Sequence, residues 1–104
     1  MNVMAAPNRS RITARTTGVE PVEGQPKWYF EVEVLEAEAV EGGLFVHAGD
    51  TARAFAVGEQ PDLHEGDVFR AEVEYLGGPG GGELQLLRVD DVHPEPPADG
   101  TTGP

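Results

Sequence analysis

Between Lys27 and Val40 the chain alternates apolar and acidic residues, and part-way along the alternation reverses. Trp28, Phe30, Val32 and Val34 share one side of an extended segment, while Glu31 and Glu33 take the other. After Val34 the apolar set becomes Leu35, Ala37 and Ala39, and the acidic set becomes Glu36 and Glu38. Strand side chains point to opposite faces with a period of two, so a one-residue change of phase would turn the second half inside out. One extra residue in the strand, a β-bulge, keeps both apolar sets on one face and bends the chain. The pattern predicts a single long, bulged strand over 27–40. No segment sustains a helical period, so the expectation is an all-β fold.

The next clearest alternation sets Phe69, Ala71, Val73 and Tyr75 against Arg70, Glu72 and Glu74. Gly77–Gly82 reads as a flexible hairpin loop leading to a last strand, Glu83–Val92. Leu44–Ala48 and Thr51–Val57 read as strands on either side of Gly49-Asp50, after a turn at Glu41-Gly42-Gly43. Ile12–Val22 is a weaker strand, interrupted by Gly18 and ended by Pro21, and Gly58–Asp67 is a polar connector containing Pro61. The count is five strands plus a sixth. The expected core is Trp28, Phe30, Val32, Val34, Leu35, Phe69, Val73, Tyr75 and Leu86. At 104 residues there is room for one domain. Its expected span is 10–93, between a flexible tail at 1–9 and a disordered tail at 94–104, where four prolines and two glycines leave nothing to bury. No internal repeat is evident.

A long strand bent at a bulge, two further meandering strands, a connector and a closing hairpin resemble the OB-fold, a small five-stranded barrel. The likeness covers Lys27 to Val92 and lies in strand pattern. Leu63-His64-Glu65-Gly66-Asp67-Val68 is similar to the Gly-Asp approach to the fourth strand of OB domains. Gly58–Asp67, with Pro61, leaves little room for the helix that many of them carry there. In one register the bent segment is the first strand; in another it is the second, after Ile12–Val22. An SH3-like barrel or a small sandwich would use the same strands. The resemblance implies a five- to six-stranded OB-like barrel.

Charge then narrows the function. Asp and Glu outnumber Lys and Arg by 19 to 7, the net charge is -12, and Lys27 is the only lysine. A phosphate backbone is gripped by clustered cations that displace its counterions, and this chain has no basic run. Such a surface suits solubility, high salt or a basic protein partner. Absence of cysteine excludes disulfides and thiolate chemistry and suits a reducing compartment. No apolar run approaches the ~18 residues of a membrane span. The start, Met1-Asn2-Val3-Met4, is unlike a signal peptide, so a cytoplasmic protein is expected.

Catalytic chemistry finds little to work with. Ser10 is the only serine and lies beside the N-terminal tail. His47, His64 and His93 show no metal-ligand spacing, and the glutamates of 31–38 alternate along an outward strand face, so neither metal nor cofactor is expected. The glycine run lacks a following Lys-Ser/Thr and leads into a strand, unlike a phosphate loop. A binding face is the better candidate. If Leu44, Val46, Ala48, Ala52, Ala54 and Ala56 point inward, then Phe45, His47, Arg53 and Phe55 point out on adjacent strands. That face would resemble the second- and third-strand surface on which OB domains stack bases. In the opposite reading Phe45, Phe55 and Val57 are core and the alanines face solvent. The expected function is a non-enzymatic binding or accessory module meeting a basic protein; the alternative is single-stranded nucleic-acid binding through Phe45, His47, Arg53 and Phe55.

Overall fold

The computed structural model describes residues 7–58, 61–78 and 81–94. Five strands run through them: β1 (Arg9–Pro21), β2 (Lys27–Glu41), β3 (Thr51–Val57), β4 (Asp67–Gly78) and β5 (Gly81–Pro94). They close into a barrel in the order β1-β2-β3-β5-β4, with β4 returning to β1. Every pairing is antiparallel except β3 with β5, a short parallel ladder of Ala54 with Leu84 and Phe55 with Gln85. The bent segment is thus the second strand of the barrel.

The bulge falls where the phase of the sequence changes. Ala14 of β1 pairs with Val34, and the next residue, Thr13, pairs with Glu36. Leu35 is the extra residue, so Val34 and Ala37 both turn inward while Glu36 and Glu38 stay exposed. Leu35 itself, expected in the core, is half-buried, because a bulged residue sits between the two faces.

Inside the barrel, small residues oppose large ones across the strands. Ala54 pairs with Phe30, Ala56 with Trp28, Ala14 with Phe69 and Ala71 with Ile12. This interdigitation fills a narrow barrel, so three alanines on β3 make an adequate core lining. Phe30, Val32, Val34, Phe69, Val73 and Leu86 are buried as expected, with Trp28 and Tyr75 half-buried against them. Ile12, Leu84 and Leu63 join them. Leu63 is 1% exposed despite its place in a polar connector. It closes the interior where the chain passes from β3 to β4.

Three expectations need correction. Leu44–Ala48 is irregular, not a strand; its Val46 is buried, but the strand ladder of β2 and β3 stops at Glu33 and Thr51. The glycine run is largely strand: β4 continues to Gly78 and β5 resumes at Gly81. A Cβ on Gly82 would overlap the Tyr75 ring, which lies across the glycine backbone. Residues 8 and 9, expected within the N-terminal tail, are built into the fold: Arg9 opens β1 and Asn8 is buried. The Asn8 side-chain amide donates to the Tyr75 carbonyl at 3.1 Å, and its Oδ1 accepts from the Tyr75 N–H at 2.9 Å. One amide group thereby extends the β1–β4 ladder beyond Ser10 and Val73. Residues 1–6 and 95–104 of the two expected tails lie outside the described residues.

Two turns share one design. In His47-Ala48-Gly49-Asp50 and His64-Glu65-Gly66-Asp67 the Asp N–H donates to the His carbonyl at 3.0 Å. In each, the Asp carboxylate accepts the His N–H, at 2.8 and 2.9 Å. The glycines have φ of 97° and 98°, a left-handed conformation that side chains resist. Each turn launches a strand, β3 in one case and β4 in the other.

Candidate ligand-binding face

The outward residues of β2 and β3 are set by the same alternation that builds the core. With Trp28, Phe30 and Val32 inside, Lys27, Tyr29 and Glu31 face out; with Ala54 and Ala56 inside, Arg53, Phe55 and Val57 face out. Register places Tyr29 opposite Phe55 and Glu31 opposite Arg53. The two rings meet at 6.1 Å between centroids with planes 56° apart. Lys27 Nζ stands 4.9 Å from the Tyr29 centroid and 4.8 Å from that of Phe55. The Arg53 guanidinium lies 3.9 Å from the Tyr29 centroid, and its Nε is 3.8 Å from a Glu83 carboxylate oxygen. Cations placed over ring faces are attracted by the ring quadrupole.

Phe55 is consequently only 8% exposed although its side chain is on the outside of the barrel. It belongs neither to the open surface expected for it nor to the interior, because its neighbours cover it. Of the four residues expected to form one face, Arg53 and Phe55 come together around Tyr29. Phe45 stacks on Tyr75 instead, with centroids 5.0 Å apart and planes 11° from parallel. His47 turns toward Asp50, Nδ1 to Oδ2 3.7 Å. The irregular backbone of 43–47 separates their roles from those of Arg53 and Phe55. Tyr29 and Lys27 were missed, yet both lie out of phase with the apolar series of β2, which is the signal for an outward aromatic.

Beside this cluster is a hollow of about 410 Å³, lined by Gly18, Val19, Glu20, Tyr29, Glu31 and Arg53 among others. Gly18 pairs with Glu31 and Glu20 with Tyr29, so β1, β2 and β3 form its floor. Another outer surface of the barrel is arranged differently. Across β2, β1, β4 and β5 one row reads Glu38, Arg11, Glu72, Arg88, and the next reads Glu36, Thr13, Arg70, Asp90. Arg11 approaches Glu72 at 3.6 Å, and Arg15 forms a close ion pair with Glu33. Opposite charges on neighbouring strands attract, and here each arginine of the two rows has a carboxylate beside it.

Compared with known proteins, the chain matches no family model, no curated protein and no solved structure. Among the described residues, no three histidine, cysteine or carboxylate side chains gather in a geometry for a metal ion. Chemically, the face offers two capped rings, two cations and a flanking set of carboxylates.

Proposed function

We propose that the chain is a non-enzymatic, OB-like binding module whose acidic surface meets a basic protein partner. The strand order β1-β2-β3-β5-β4, the bulged long strand and the parallel closure of β3 on β5 support the OB-like reading. The observation that carries the partner class is the covering of the outward rings. Lys27 and Arg53 already occupy the ring faces that a base would stack on, and Phe55 is 8% exposed. A single strand would have to displace both cations, on a molecule whose net charge of -12 repels phosphate.

Single-stranded nucleic acid is the second reading, supported by the grouping of Lys27, Tyr29, Arg53 and Phe55 on two adjacent strands. Titration of labelled oligonucleotides at two ionic strengths, with Arg53→Ala and Phe55→Ala beside the parent, separates the two. The protein-partner reading expects negligible oligonucleotide binding at low salt and no steep fall as salt rises. It also expects a basic protein captured from lysate to associate faster at low salt than at high. Low-micromolar oligonucleotide binding that both substitutions abolish would establish nucleic acid instead.

A further inference from the structure

Gly18 sits inside β1 at a register shift, where Thr16 pairs with Val32 and Gly18 with Glu31. It is absent from the glycines with left-handed backbone, so no left-handed conformation requires glycine there. A Cβ there would meet the Glu31 Cβ at 3.6 Å, an ordinary contact, and nothing nearer. Gly42 differs on both counts, with φ of 73° and a Cβ position 2.5 Å from the Pro7 carbonyl oxygen. A glycine in a strand weakens it and often marks a bulge or a place where something approaches closely. A bulge does not by itself require the side chain to be missing when φ is not left-handed. What the missing side chain leaves open is the hollow of about 410 Å³ between β1, β2 and β3.

The walls define what would fit. Val19, 36% exposed, and the Tyr29 ring are apolar, and Glu20 and Glu31 bring two carboxylates to the rim. Arg53 adds one guanidinium, which is drawn to the Tyr29 ring and to Glu83. Two lining carboxylates, Glu20 and Glu31, against the one lining cation, Arg53, give the site a negative sign, in the field of a strongly acidic protein. A long aliphatic stem ending in a positive charge matches both features.

We propose that the hollow receives a lysine or arginine side chain from a basic segment of the partner, with Glu20 and Glu31 as its counter-charges and Val19 along its stem. This rests on the reading that the partner is a basic protein. Gly18 is then a specificity residue, keeping the floor clear. Arg53 is a like-charged neighbour that limits affinity.

The test is an NMR titration of the whole chain with the peptide acetyl-(Gly-Ser-Arg)3-amide at low salt, against the same peptide with Glu in place of Arg. Amide shifts should concentrate at 18–20, 29–31 and 53, and the Glu peptide should produce none. Gly18→Val fills the hollow and should weaken binding by roughly tenfold while the spectrum stays dispersed and the melting temperature holds or rises. Glu31→Gln should weaken it in the same sense. Arg53→Ala should strengthen binding of the Arg peptide, the opposite of its effect if the face held nucleic acid. Equal binding by parent and Gly18→Val, with shifts spread over Glu36, Glu38, Asp90 and Asp91, would overturn the hollow and leave the basic-partner reading standing. No binding of the Arg peptide by the parent would overturn both.

Discussion

Two outer surfaces of one barrel use their cations in contrasting ways. Across β2, β1, β4 and β5, Arg11, Arg70 and Arg88 alternate with Glu38, Glu72 and Asp90 from strand to strand. On β2 and β3, Lys27 and Arg53 lie over the rings of Tyr29 and Phe55, beside a hollow. The first surface balances its charges among strand neighbours and is suited to lying in water. The second groups apolar rings, cations and carboxylates around open space. The difference shows that the role of an arginine in an acidic protein is set by what register places opposite it. Glu72 faces Arg11 on one side and Arg88 on the other; Arg53 faces Glu31 but leans on an aromatic.

Both surfaces are held by one interior, so the largest effect is expected from there. Leu63→Ala should cost about 3 kcal/mol, through lost transfer energy and the cavity left behind. For a domain of this size that lowers the melting temperature by roughly 12–20 °C, read by circular dichroism on heating. A loss below about 1 kcal/mol would mean that the connector is not needed to close the barrel, and that the two faces are held by their ladders alone.

The next experiment sets one strand glycine against another. Gly82→Val must push the Tyr75 ring off its seat and away from Phe45, and should cost about 1–2 kcal/mol. Gly18→Val meets only the Glu31 side chain, in ordinary contact, and should be neutral or stabilising by roughly 0.5 kcal/mol. Denaturant midpoints of the two variants decide it. If Gly18→Val proves as damaging as Gly82→Val, Gly18 serves the fold, and the contrast between the two faces loses its sharpest element.

The smallest change in stability is expected on the balanced face, where it has a functional signature. Glu72→Gln removes the carboxylate between Arg11 and Arg88 and should cost about 0.2–1 kcal/mol. It should also release those two arginines toward polyanions, so weak oligonucleotide binding appears at low salt and falls as salt is added. Titrating the parent and the variant in parallel measures it. A variant as inert as its parent would show that proximity of carboxylates is not what silences these arginines.

Much of this architecture was legible in particular residues. The reversal of alternation after Val34 announced the bulge at Leu35, because side-chain direction along a strand depends on local counting alone. The same counting left β3 with two readings, Arg53 and Phe55 outward or Phe55 in the core, and the structure puts both side chains on the outer side. The fate of Phe55 was not legible: Lys27 and Tyr29 cover it through a pairing of β2 with β3 that no local pattern specifies. Leu44–Ala48 failed as a strand because alternation is necessary for pairing but does not supply a partner. The backbone that would have met it instead bonds to Gly49 and Asp50, through Val34.

By itself, the sequence determined which residues alternate, where the phase breaks, where glycine allows a left-handed turn, and that the molecule carries a large negative charge. These are properties of neighbours along the chain, governed by sterics and by composition. The tertiary structure decided which strand lies beside which, and so which charges cancel, which alanine meets which large side chain, and which ring a lysine covers. Those outcomes depend on contacts between residues far apart in sequence. One such contact brings Asn8 to Tyr75, and another brings Leu63 from a polar connector into the core. Their energies belong to pairs that only the closed barrel brings together.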